Sequence, residues 1–174
     1  MHPVELETAL SQMHILVDTR EQKTTRAIRR YEAFNAPWDY EHLDFGDYSC
    51  KTKLPSGELL SLSDAVCIER KMSIDELCGC FTRDRDRFSR EFERAKAKGA
   101  KLVLLIENAS WEMIYNGKYQ SKMSANALTA SIFAWMARYN CPVLMCKAET
   151  SGKLIKDILY RELKEILSKG LYFT

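Results

Sequence analysis

The sequence predicts an α/β domain, with a central mixed β-sheet flanked by helices, and two observations carry that prediction. Short apolar runs that end in an acid recur at His14-Ile15-Leu16-Val17-Asp18, Ala65-Val66-Cys67-Ile68-Glu69 and Leu102-Val103-Leu104-Leu105-Ile106-Glu107. Runs of this length, apolar throughout, read as strands buried on both faces. Between them lie longer stretches with apolar residues at helical spacing. Strands that alternate with such helices indicate a sheet covered on both faces.

The 174 residues, 46% of them hydrophobic, suffice for one well-filled core. Residues 1–174 therefore read as a single domain, with 1–12 as a poorly determined N-terminal extension. The first strand, at His14–Val17, ends on Asp18. A helix is expected over Lys23–Ala33, with Ala27, Ile28, Tyr31 and Phe34 on its apolar face, and Asn35-Ala36-Pro37 breaks it. Trp38–Asp44 alternates as a strand does, and Gly46 permits a bend. Tyr48–Lys53 and Leu59–Leu62 flank Pro55-Ser56-Gly57 and read as a hairpin with its turn. Ala65–Glu69 is the next strand, and Ser73 is placed to cap a helix running through Leu77 and Phe81. A charged helix follows over Arg83–Lys98 and stops at Gly99. Lys101–Glu107 is a buried strand, Ser110–Tyr115 a short helical turn and Ser124–Tyr139 a helix. Pro142–Cys146 is a last strand and Thr150–Ser168 a last amphipathic helix.

Composition excludes little beyond a membrane span. The net charge of +2 and pI near 8.2 neither demand nor exclude nucleic acid. No apolar run approaches the roughly 20 residues that cross a bilayer, and the N-terminus shows no signal peptide. The cysteines lack paired zinc spacing, and most sit among apolar neighbours, so they read as reduced thiols in a core. An intracellular protein is expected, cytoplasmic in a prokaryotic or phage-infected cell and nuclear in a eukaryotic one.

The chemistry gathers at strand ends, where α/β sheets place their functional groups. Asp18, Glu69 and Glu107 each close an apolar run, and Asp47 follows the Gly46 bend. Several such acids on neighbouring strands repel one another unless a cation or basic group neutralises them. Arg20 and the pair Arg70-Lys71 come with them. Alternation along a strand sends Glu69 and Lys71 to one face and Arg70 to the other. An acid that holds a hard cation and a lysine that orients or deprotonates water would thus face one spot. Downstream, Arg83, Arg85, Arg87, Arg90 and Arg94 crowd one helical region, interleaved with acids. Of these, Arg83 and Arg87 are the candidates for phosphate contact.

Gly46-Asp47, Glu69-Arg70-Lys71 and Asp75 together resemble the GDXnERKX3D signature of the XPF-type structure-specific endonucleases. Val17-Asp18-Thr19-Arg20-Glu21 is similar to that family's D-x-R-E segment, and the resemblance runs from about residue 13 to 168. It implies a restriction-endonuclease-like fold and Mg²⁺- or Mn²⁺-dependent cleavage of DNA at forks, flaps or junctions. It also implies a site in which Asp47 and Glu69 bind the metal, Asp18 completes the acidic cluster and Lys71 positions the attacking water. Arg20 and Arg70 match positions that serve phosphate contact or internal pairing, and with Arg83 and Arg87 they form the expected DNA-binding set. The insertion between Asp47 and Glu69 looks long for the family. No helix-hairpin-helix module follows, so a stand-alone form is expected, with a junction-binding partner protein as one possible complement. Because XPF-type nuclease domains pair through helices in this region, the apolar helices over 124–139 and 150–168 imply a homodimer. Competing readings are a non-catalytic DNA-binding scaffold subunit, and a junction resolvase or restriction-type nuclease with another substrate.

Overall fold

The computed structural model describes residues 2–170. Its elements, in chain order, are α1 (Pro3–Ser11), β1 (His14–Asp18), α2 (Thr25–Glu32), β2 (Trp38–Glu41), β3 (Tyr48–Lys53), β4 (Leu59–Ser61) and β5 (Val66–Lys71). They continue with α3 (Ile74–Phe81), α4 (Arg85–Ala97), β6 (Lys101–Glu107), α5 (Trp111–Tyr115), α6 (Ala125–Tyr139), β7 (Val143–Cys146) and α7 (Ala148–Lys169). Side-chain oxygens of Thr24, Ser73, Ser110 and Ser124 accept backbone N–H groups at the starts of α2, α3, α5 and α6. Those hydrogen bonds satisfy donors that a bare helix start leaves unpaired. Among the described residues, no helix is long and apolar enough to cross a membrane.

The strands form one mixed sheet in the order β2-β1-β3-β5-β6-β7, with β4 paired to β3. β1 and β2 are parallel, as are β5, β6 and β7, whereas β3 runs antiparallel to both β1 and β5. This reversal positions the site. The carboxyl ends of β1, β5 and β6 and the start of β3 all fall on one edge of the sheet.

Alternation splits the core into two layers. Ile15, Val17, Tyr48, Ile68, Val103 and Leu105 face α1, α2 and α7. Cys67, Leu104 and Ile106 face α3, α4 and α6, where Phe88, Phe92 and Trp135 pack ring on ring.

Several elements depart from the sequence reading. Residues 3–11, within the stretch expected as a poorly determined N-terminal extension, form a helix whose Ala9 and Leu10 are buried, and Thr52 Oγ1 donates to the Ala9 carbonyl. The strand expected over Trp38–Asp44 stops at Glu41, because the Leu43 peptide is taken by side chains from β1 and the turn after it: its N–H donates to Asp18 and its carbonyl accepts from Arg20. In α2 Ala27 and Tyr31 are buried as expected and Arg30 is buried beside them, while Ile28 is exposed. The broad apolar stripe of α7 is buried within the chain through Ile155, Leu159, Leu163 and Leu167. On α6 the residues Ala127, Ala130, Phe133, Ala134 and Ala137 stay exposed. The six cysteines are free thiols.

Candidate active site

Gly46 brings Asp47 to the edge of the sheet. It has φ +72°, and a Cβ there would lie 2.8 Å from Cys67 Cβ, so only glycine lets the chain pass this close to β5. The Asp47 N–H then donates to the Ile68 carbonyl at 2.8 Å, and Asp47 Oδ2 accepts the Arg70 N–H at 2.7 Å. Glu91 of α4 holds the same bend, its Oε1 accepting the Gly46 N–H at 2.9 Å, and Arg94 Nε donates to the Asp44 carbonyl at 2.9 Å.

Glu69 and Lys71 share the face of β5 that meets α3 and α4. Lys71 Nζ lies 2.5 Å from Glu69 Oε1 and 5.1 Å from the centroid of the Phe88 ring. Glu69 is only 3% exposed, and its second oxygen, Oε2, is buried without any hydrogen-bond partner. A bare carboxylate oxygen in a dry site is costly unless something positive meets it. These groups open onto a cavity of about 1170 Å³.

Asp47, Glu69 and Lys71 each hold their protons more tightly than usual. Burial raises the Asp47 carboxyl well above the usual range, and the neighbouring Glu69 and Glu21 carboxylates add to the effect. Burial pushes Glu69 up to about 7; Lys71 pulls it down, while Glu91 and Glu76 push it up. For Lys71, burial opposes the ammonium, but Glu69 and Asp47 outweigh it and its pKa rises. Burial is the largest cause for the two acids, whereas for Lys71 the neighbouring carboxylates outweigh it.

On the opposite face lies a buried ionic square. Arg70 Nη1 donates to Glu107 Oε2 at 3.3 Å and its Nη2 lies 3.5 Å from Glu21 Oε1. Arg30 closes the figure, with Nε donating to Glu107 Oε1 at 3.1 Å and Nη1 to Glu21 Oε2 at 3.5 Å and the Tyr48 hydroxyl at 2.9 Å. The Tyr48 hydroxyl donates in turn to Glu21 Oε2 at 2.8 Å. Two guanidinium groups thus balance two carboxylates directly behind Asp47 and Glu69.

The structure gathers Asp47, Glu69, Lys71 and Asp18 on the lining of one cavity, and the Asp18 N–H donates to the Asp47 carbonyl at 2.8 Å. Asp18 Oδ1 accepts the Leu43 N–H at 2.9 Å and Oδ2 is bound by Arg20 Nε. Among the described residues no three His, Cys, Asp or Glu side chains converge as a metal cluster. Asp18 lines the same cavity while both of its carboxylate oxygens are engaged, anchoring the loop before Asp47. Arg20 is tied to Asp18 and to the Leu43 carbonyl, although its side chain is half exposed. Arg70, expected at the DNA, is committed to internal pairing. Arg87 lines the cavity and Arg83 does not; both are exposed and lie near Asp84. Sequence reasoning missed Arg30, Glu91 and Phe88, whose partners are far away along the chain. A buried arginine on the apolar face of α2 leaves no periodic signal beyond its interruption of the pattern.

A mixed sheet with one reversed inner strand, and two acids and a lysine at the resulting edge, defines the restriction-endonuclease-like class of α/β fold. Within that class the chain belongs to the ERCC4 domain family, the XPF-type nuclease domains; the family's model matches residues 17–158. Its structure is similar to that of XPF from Aeropyrum pernix, with a TM-score of 0.58 and 20% identity over 86% of this chain and 60% of that one. It is also similar to XPF from Aeropyrum pernix in complex with DNA, with a TM-score of 0.58 and 21% identity over 92% of this chain and 67% of that one. At such identity the likeness is one of fold, and the chain spans about 60% of the length of the first of these relatives. Curated protein sequences give no significant match.

Proposed function

We propose that the chain is a divalent-metal-dependent endonuclease that hydrolyses phosphodiester bonds in branched or structured DNA, at forks, flaps or junctions, in repair, recombination or replication. The observation that carries this reading is the unpartnered Glu69 Oε2, buried beside Asp47, with both carboxyls raised above their usual range. A hard cation fits that donor set. Mg²⁺ typically takes only one or two carboxylates from a protein and keeps several waters or phosphate oxygens, and Mn²⁺ also suits carboxylate and water ligands. Asp47 and Glu69 would hold it.

When bound, the metal would polarise a phosphoryl oxygen and lower the pKa of a water molecule. The chain's own residues supply the rest. Lys71, held by Glu69 and backed by the Phe88 ring, presents N–H donors that orient a water or phosphate oxygen at the mouth of the site. The Arg70 N–H fixes Asp47, and the ionic square holds the Arg70 side chain from behind. Membership in the XPF-type family, with a DNA complex known for a relative, supports DNA as the substrate. The free cysteines suit an intracellular setting. The exposed apolar face of α6 suits a homodimer.

A metal titration followed by cleavage assays tests the proposal. Wild type should gain thermal stability from Mn²⁺, by about 2.7 kcal/mol at a hundredfold excess over Kd, and should cut fork or flap DNA. Glu69→Gln and Asp47→Asn should lose both. Metal binding without cleavage of fork, flap, four-way-junction and plain duplex DNA would sink the enzymatic claim and leave a DNA-binding scaffold. Preferred cutting of four-way junctions or plain duplex would reassign the substrate while keeping the chemistry.

A further inference from the structure

We propose that the exposed face of α2 is a second grip on duplex DNA, in which Arg26 and Arg29 take backbone phosphates on the bank of the cavity opposite α4. The inference rests on the nucleic-acid reading above. The cavity straddles the edge of the sheet, so it has one wall from each helical layer. Arg87, Arg90 and Arg94 of α4 stand on one wall, and Arg26 and Arg29 of α2 on the other. Asp47, Glu69 and Lys71 open between them.

Three features separate this pair from an ordinary solvated helix face. Arg26 and Arg29 lie three residues apart, so they project side by side. Both are exposed, and neither has a carboxylate within 4.0 Å among the described residues, although Glu32 lies one turn beyond Arg29. Arg26 also sits in the first turn of α2, which carries no acid. A cation there opposes the helix dipole. The folded protein alone gains nothing from that arrangement, whereas a phosphate between the two guanidinium forks would be held by bidentate hydrogen bonds.

The cavity wall also indicates which form of nucleic acid it takes. Single strands are gripped largely by stacking bases on exposed aromatic rings. Phe88 is the aromatic residue of this lining and is buried, only 3% exposed. Contacts must then be made to phosphates, and a groove with cations on both banks suits the two backbones of a duplex arm.

The test is the salt dependence of binding to labelled duplex and fork DNA, read by fluorescence anisotropy with Ca²⁺ present. Each phosphate contact contributes about 0.9 to the slope of log K against log salt. The double variant Arg26→Ala/Arg29→Ala should therefore flatten the wild-type slope by about 1.8 on every duplex sequence. Its melting temperature and Mn²⁺ affinity should stay at wild-type values. An unchanged slope, with wild type binding DNA, would overturn the α2 grip and leave the nuclease reading intact. Failure of wild type to bind any of the DNAs would remove the underlying reading as well. An equal or greater loss on a poly-dT single strand would overturn the assignment to duplex.

Discussion

Replacing Arg30 by methionine would remove a buried cation from between two buried carboxylates. The Arg30 side chain is 7% exposed, Glu107 5% and Glu21 12%, so water cannot take over the lost hydrogen bonds. Methionine fills much of the aliphatic volume, and the cost is therefore mainly electrostatic. Two positive and two negative charges become one and two, behind a site already short of positive charge. Breaking a buried pair from one side costs about 3–5 kcal/mol. In a chain of this size each kcal/mol moves the melting temperature by about 2–4 °C, so a fall of about 6–20 °C is expected. Urea denaturation followed by circular dichroism gives the free energy, with an unchanged m-value showing that the two end states are the same. The double variant Arg30→Met/Glu107→Gln restores balance, leaving Arg70 against Glu21. It should recover about 1–3 kcal/mol relative to the sum of the two single variants. A cost below about 1 kcal/mol for Arg30→Met, or strict additivity in the double variant, would refute the view that the square acts as one unit.

Three other substitutions probe the frame around the site. Gly152→Ala would place a Cβ 2.3 Å from the Arg30 carbonyl oxygen and 2.8 Å from Ala33 Cβ, forcing α7 away from α2. Calorimetry should show a loss of about 1–3 kcal/mol in place of the gain of about 1 kcal/mol that alanine brings to a free helix; a rise in melting temperature would contradict the packing. Asp75 accepts the backbone N–H groups of Gln120 and Ser121 at 2.8 and 2.6 Å. Asp75→Ala should speed hydrogen exchange at those two amides and leave Mn²⁺ affinity unchanged, whereas unchanged exchange would remove this anchoring role from the signature's last acid. Phe133 is 46% exposed and stacks on Trp111 at 5.4 Å between ring centroids, within the apolar face of α6. If that face pairs two copies, Phe133→Lys should convert a dimer to a monomer in sedimentation velocity; a wild type that is monomeric throughout would rule the pairing out.

Much of the fold was legible because its signals are local. Apolar runs marked β1, β5 and β6, the Pro55-Ser56-Gly57 turn marked the hairpin, and Ser73 and Ser124 marked helix starts that their hydroxyls do cap. The turn after β1 was less legible: Asp18 has the same strand-end position as Glu69, yet its carboxylate is spent on Leu43 and Arg20. Alternation alone cannot show that an acid lining the cavity also anchors a loop. The buried place of Arg30 was invisible for a related reason, since the carboxylate that accepts from its Nε comes from β6.

By itself, the sequence determined most of the elements, the α/β class, and the division of Glu69 and Lys71 from Arg70 across the two faces of one strand. These follow from side-chain period and covalent geometry, which act between near neighbours. Only the tertiary structure decided that β3 runs backwards between β1 and β5, and this reversal sets Asp47 beside Glu69. Only it decided that the Asp18 carboxylate is engaged by Leu43 and Arg20 and that Arg30 joins the ionic square. Strand order and charge pairing depend on contacts between distant segments, and local pattern does not encode which segment arrives.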